Sequence, residues 1–507
     1  MKSRTLILKL FVILAIFAYT PLFSAQKRTV PKPLAGHPGN VFLEGENVVV
    51  KLPKTDGNWR LINYEDRVVC GVTPDADGVV ELGHLPVGFY RLIPAASSNW
   101  ISLAVLKPLK APTPLTSPIA LDVAMAWFYS KEKMPSIANL CALAGINRVR
   151  DRLNWAEMEP ERGKFAKWNR YDDSAKIQSD AGLHVLQVNH ISPRWANPDT
   201  KRFPVDLRDA YRFYMEMAKR WNETVPALEP WNEADIPMFG GHTGAEMASF
   251  QKASYLGIKK GNPRAIACLN VFAVHNLPQL VDLTENATSA YFDTYNFHHY
   301  EPFDNYPKLY NDHRMASAGK PLWVTEAALP VRWSGDEKLK ELSDDNLRLQ
   351  SERVVKTFAC SLHEGSVATF YFLLPHYVEG QVQFGLLRPD LTPRPGYCAL
   401  AACGRLLADA RPLGKWKTTD SNLHAYMFST KEDGIGKGNI GGLVTKRENR
   451  NIASRRASRN IRPHRERSKI RISKSVSDKS VYHTVIRCFP NKCAQKIRSR
   501  NRTKARV

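Results

Sequence analysis

Between positions 119 and 413 the chain repeats one pattern eight times: a short apolar run, then a stretch with apolar residues at helical spacing. The runs cover 119–127, 146–153, 183–188, 227–231, 265–271, 292–297, 321–325 and 366–373. Helical spacing is plain in Ile137, Leu140, Cys141 and Ala144, and again in Val354, Phe358 and Leu362. Gly145 and Gly365 follow two of these stretches, where a left-handed residue closes a helix. Eight strand-helix units predict an α/β fold of the (β/α)₈ type, a TIM barrel. A doubly wound open sheet is the alternative, but no glycine-rich phosphate loop follows the first run.

In such a barrel, chemistry sits at the C-terminal ends of the strands. Two glutamates fall there. Glu233 closes Glu229-Pro-Trp-Asn-Glu233 at the fourth run, and Glu326 closes Trp323-Val-Thr-Glu326 at the seventh. Strands four and seven lie across the barrel from each other, so both carboxylates can reach one substrate. Carboxyls about 5 Å apart cleave a glycosidic bond with retention: one protonates the leaving oxygen and the other attacks the anomeric carbon. The proton donor of such a pair works with a raised pKa, and Trp231 and Trp323 are the expected apolar wall around it. Glu229 has the parity of Glu233 but lies deeper, as a structural partner. A single strand-end glutamate is more often a solvated or ion-paired residue, so the pair carries the reading.

These motifs resemble the acid/base and nucleophile segments of the retaining glycoside hydrolases of clan A, and are closest to glycoside hydrolase family 39 and its relatives. The resemblance spans about 119–413 and includes the Asn-Glu pair at the end of strand four. It implies that Glu233 is the acid/base and Glu326 the nucleophile. Asn232 would hydrogen-bond the sugar 2-hydroxyl. Arg150, in Gly145-Ile-Asn-Arg-Val-Arg150, would sit beside the nucleophile, and Tyr300, in His298-His-Tyr300, would hydrogen-bond it. His298 is expected as a hydrogen-bonding pocket residue. Trp195, in Ser192-Pro-Arg-Trp195, is a candidate for stacking on sugar together with Trp333, and Trp323 is placed at the substrate. One departure is visible: such enzymes often carry a Trp at the end of strand eight, and the stretch 369–374 has none.

Adjacent His298 and His299 point to opposite faces of a strand, so a shared metal ion is not expected. No Cys/His spacing resembles a zinc site, and no metal or organic cofactor is implied. The eight cysteines are scattered without a disulfide framework and read as buried free thiols.

The flanks differ from this body. Lys2, Arg4 and Lys9 precede an apolar run to Tyr19 and the small residues Ser24-Ala25, so 1–25 reads as a secretory signal peptide or an uncleaved anchor. Positions 40–106 alternate apolar and polar residues between turn signals, as a small N-terminal β-sandwich does. Positions 414–434 begin a C-terminal β module. From 435 the text turns basic and poor in aromatics, as a disordered tail or a shifted reading frame would be.

The formal net charge of +23 invites a nucleic-acid partner, but 437–507 holds 22 Lys and Arg against 3 Asp and Glu, leaving only +4 for the rest. No nucleic acid is therefore expected for the folded body, and a carbohydrate substrate is. The contrasting reading is a carbohydrate-binding barrel without turnover. The sequence assigns no oligomeric state.

Overall fold

The computed structural model describes residues 28–53, 57–95, 100–417, 423–431, 438–446 and 485–489. Eight parallel strands build the body of the chain: β1 (Ile119–Asp122), β2 (Arg148–Leu153), β3 (His184–Asn189), β4 (Ala227–Glu229), β5 (Ile266–Ala267), β6 (Tyr295–His299), β7 (Leu322–Ala327) and β8 (Ala368–Tyr371). They lie in the order β5-β4-β3-β2-β1-β8-β7-β6. Parallel bridges from Cys268 to Thr294 and from Phe272 to Phe297 join β5 to β6, and the sheet closes on itself as a (β/α)₈ barrel.

The observed strands are shorter than the apolar runs at several places. The first run continues to Trp127, yet β1 stops at Asp122 because Ala124 adopts φ 44° and turns the chain into a short helix, Met125–Phe128. Strand β5 keeps only two regular residues, and single bridges carry the rest of the fifth run. On β7 the register shifts between Val324 and Ala327, and on β6 between Phe297 and His298. These irregularities re-aim side chains at the C-terminal mouth.

Eight principal helices follow the strands: α1 (Met134–Leu143), α2 (Arg170–Asp180), α3 (Leu207–Arg220), α4 (Gly244–Gly261), α5 (Leu277–Glu285), α6 (Tyr306–Ala316), α7 (Asp344–His363) and α8 (Pro395–Leu406). Their starts are set by side chains. Asn169 with Asp172 and Thr243 with Glu246 form capping boxes on α2 and α4, and Asp206 and Ser343 cap α3 and α7. The inner floor of the barrel is apolar: Ala120, Leu186, Ala227, Cys268, Trp323, Ala368 and Phe370 form one buried cluster.

Trp323 therefore belongs to this floor and not to a substrate wall. The guanidinium of Arg148 lies 5.1 Å from its ring. Trp231 is likewise fully buried, ringed by Phe203, His242 and Phe250, with its Nε1 donating to the Phe239 carbonyl.

A second unit combines the described residues of 43–106 with those of 411–489. Its N-terminal part holds two antiparallel sheets, as a small sandwich requires. In one, Ile101–Leu106, Gly88–Pro94, Trp59–Asn63 and Val68–Val72 are successive neighbours; in the other, Val48–Lys51 pairs with Val79–Gly83. Its C-terminal part is a sheet of Arg411–Trp416, Leu423–Lys431, Gly438–Lys446 and Val485–Phe489. Strand pairing thus continues through 438–446, past the point where the sequence pattern predicts that it ends. The expected signal segment 1–25 and most of the basic tail lie outside the described residues.

Among the cysteines whose side chains are described, all are free, and only Cys70 is exposed. No helix among the described residues is long and apolar enough to cross a membrane.

Helices α3 and α4 approach closely because α4 presents Gly257 and Gly261 to the carbonyls of Tyr211 and Met215, where a Cβ would collide. Gly257→Ala is expected to lower stability by about 1–3 kcal/mol in denaturant unfolding. An unchanged midpoint would show that the two helices separate freely.

Candidate active site

Three arginines of one parity climb the inner face of β2. Arg148 rests on the floor beside Trp323, Arg150 is fully buried in the middle, and Arg152 lies nearest the mouth. Arg150 is the hub. Its Nε and Nη2 donate to Glu229 Oε1 at 2.9 and 2.6 Å, its Nη1 donates to Asp122 Oδ2 at 3.0 Å, and Nη2 also reaches Asn232 Oδ1 at 2.6 Å. A further bond joins Nη1 to Glu326 Oε1. Arg152 Nη1 binds both oxygens of Asp122, at 2.7 and 2.6 Å, while its Nη2 lies 3.4 Å from Glu326 Oε1.

Glu326 is held from both sides. Its Oε2 accepts a 2.6 Å hydrogen bond from the Tyr300 hydroxyl. In a regular strand, Trp323 and Glu326 would face opposite sides; the register shift on β7 lets the first fill the floor and the second reach the mouth. Burial alone would raise the Glu326 carboxyl. Its electrostatic interactions with His298, Arg150 and Arg152, with the Tyr300 hydrogen bond, outweigh burial and hold it at about 2. Burial and the neighbouring Glu326 and Glu233 push the Tyr300 phenol well above its ordinary value, so it remains a donor.

Glu233 sits outside the arginine cluster. Its backbone has φ 42°, a left-handed conformation that costs a non-glycine residue roughly 1 kcal/mol. The chain beyond β4 is fixed on both sides: Asn232 N–H donates to the Asn189 carbonyl and Ala234 N–H to the Val271 carbonyl. His298 Nδ1 is 2.9 Å from Glu233 Oε1 and 3.6 Å from Glu326 Oε2, and its Nε2 is 3.1 Å from Thr325 Oγ1. The Glu233, His298 and Glu326 atoms facing one another all lie within 4.8 Å. That trio has the donor types of a cation site, but two arginines and a tyrosine already occupy Glu326, and their positive field opposes a metal ion.

The structure brings Glu233, Glu326, Asn232, Arg150, His298 and Tyr300 together. Trp195 is elsewhere, packed on Trp155 beneath the guanidinium groups of Arg162 and Arg212, with its Nε1 on the Glu159 carbonyl. Trp333 donates to the Gly380 carbonyl and packs under Lys340. Glu229 is fully buried between Arg150 and Asn296, as a structural carboxylate.

Sequence reasoning misses Asp122 and Arg152, although Arg152 shares the parity of Arg150 and Asp122 interrupts an apolar run. It also misses Phe372. That ring follows β8, where a Trp is missing, and lies 5.9 Å from Tyr300.

No protein-family model matches the sequence, and no curated protein does. Solved structures resemble the fold. A family 39 glycoside hydrolase from the gut symbiont Bacteroides cellulosilyticus WH2 superposes with a TM-score of 0.63 at 17% identity, over 83% of this chain and 90% of that one. A monomeric beta-xylosidase from Caulobacter crescentus CB15 gives 0.49 at 12% identity, over 68% and 77%. A GH30 endoxylanase from Clostridium papyrosolvens C71 gives 0.46 at 17%, over 67% and 83%. The first of these likenesses is one of fold: this chain has the architecture of that hydrolase.

Two substitutions test the cluster. Arg150→Met leaves buried carboxylates unpaired and is expected to cost about 3–5 kcal/mol of stability at neutral pH. Tyr300→Phe removes a donor that favours the charged form of Glu326, so the acidic limb of any activity profile should move to higher pH. A limb that stays in place would contradict the part given to Tyr300.

Proposed function

We propose that the protein is a retaining glycoside hydrolase that cleaves O-glycosidic bonds by double displacement. One observation carries the reading: the facing carboxylate oxygens of Glu233 and Glu326 lie within 4.8 Å of each other at the barrel mouth, the spacing of a retaining pair. The contrast in their surroundings supports the division of labour. Glu326, ion-paired to Arg150 and hydrogen-bonded to Tyr300, stays ionised and aimed, as an attacking group must. Glu233 is the more exposed of the two and is hydrogen-bonded to His298.

In the first step Glu326 attacks the anomeric carbon while Glu233 gives its proton to the departing oxygen, leaving a glycosyl ester on Glu326. In the second step Glu233, now a carboxylate, takes a proton from water as that water attacks the same carbon, and Glu326 departs with configuration retained. Asn232 offers its amide NH₂ to a sugar hydroxyl, because Arg150 already occupies its carbonyl oxygen. His298 bridges the pair and keeps Glu233 turned toward the attacked carbon. No metal or organic cofactor enters these steps. The leader-like segment 1–25 supports action outside the cytoplasm.

Glu326→Ala is expected to abolish turnover, and added azide should restore part of it as the glycosyl azide of inverted configuration. Glu233→Gln should lower kcat by about 10²–10⁴ on substrates with poor leaving groups. Undiminished turnover in Glu326→Ala would refute the assignment.

A further inference from the structure

The mouth of the barrel carries two adjacent aromatic rings that are only partly covered, one of them, Trp127, hydrogen-bonded through its side chain to Tyr171. Met125 and Ala126 of the turn after β1 are buried, whereas Trp127 and Phe128 are 44% and 39% exposed. Leaving that fraction of each ring in water forgoes on the order of 1 kcal/mol. Their presentation is nevertheless rigid. Ala124 takes a left-handed φ, Ala126 N–H donates to Asp151 Oδ1 at 3.1 Å, and Trp127 N–H donates to the Ala124 carbonyl.

The two rings continue an aromatic row that starts at the carboxylates. Tyr300, which bonds Glu326, meets Phe372 at 5.9 Å; Phe372 meets Tyr377 at 6.0 Å; and Tyr377 meets Phe128 at 5.7 Å. On its other side Trp127 lies 4.9 Å from His190, which follows β3 and meets Phe239 at 5.5 Å. His190 is 6% exposed, with its Nδ1 buried. Burial, with Arg152, Arg150 and His298 nearby, lowers its pKa well below the ordinary value, so it is a neutral imidazole.

We infer that Trp127 and Phe128 form a stacking platform for additional sugar units of a chain whose cleaved bond lies at Glu233 and Glu326, which makes the substrate an oligo- or polysaccharide. This rests on the hydrolase reading above. A pyranose ring offers an apolar C–H face to an indole and hydroxyls at its edge. Trp127 supplies the surface for that apolar face. The row places this platform in continuity with the carboxylates, and pre-set rings bind without an ordering cost.

The test compares 4-nitrophenyl β-D-glycosides of xylose, glucose and mannose with the β-1,4-linked pentaoses of the same sugars. The platform predicts a higher kcat/KM on the preferred pentaose than on its aryl glycoside. Trp127→Ala should lower that ratio about tenfold, and Trp127→Phe should restore most of it. A wild-type ratio below one, or a ratio untouched by Trp127→Ala, would overturn the platform. Should the wild type hydrolyse none of these compounds, the hydrolase reading is the one that fails. Fluorescence titration with the pentaoses then decides the platform: weaker binding by Trp127→Ala supports it, and equal binding overturns it.

Discussion

A guanidinium with no access to water organises the mouth of this barrel. Arg150 is placed by β2 among Glu229, Asp122 and Glu326, and it also engages Asn232. Burying a charge is tolerable only when it is paired and hydrogen-bonded. Burial works against the Arg150 charge, and Glu229, Glu326 and Asp122 overcome it, so its pKa stands above the ordinary value. The same bonds tie strands 1, 2, 4 and 7 together at the depth where a substrate would arrive. Stability and the placement of Glu326 thus depend on one set of contacts.

The barrel supplies the other half of the arrangement through its irregularities. A straight β7 could not place Trp323 in the floor and Glu326 at the mouth. A regular end to β4 would not give Glu233 its left-handed backbone. The turn after Ala124 likewise ends β1 early and lifts Trp127 and Phe128 to the rim. Each departure lies at the C-terminal side of a strand, next to residues with polar or exposed side chains. The regular parts below them form a packed apolar floor.

What the sequence discloses follows from the same physics. Eight apolar runs with helical spacing between them are a long-range periodicity, so the barrel is legible. Glu233 and Glu326 are legible because a carboxylate ending an apolar strand stands out from its surroundings. The roles of Trp323, Trp231 and Trp195 are not. An indole near a motif looks the same whether it fills a floor, packs on a helix or faces a ligand, and only the register shift on β7 separates Trp323 from Glu326. Asp122 and Arg152 form a pair across neighbouring strands, a relation that no spacing along the chain displays. The strand 438–446 escapes notice because its glycines dilute the alternation that marks a strand.

The central claim is that Glu326, held ionised by Arg150, forms a covalent bond to the sugar. Incubating the wild-type protein with activated 2-deoxy-2-fluoro glycosides of xylose, glucose and mannose, followed by peptide mass spectrometry, addresses that bond directly. The account predicts one added fluorosugar on the peptide carrying Glu326. A label on any other carboxylate, or rapid turnover of an unmodified protein to a product of inverted configuration, would contradict it.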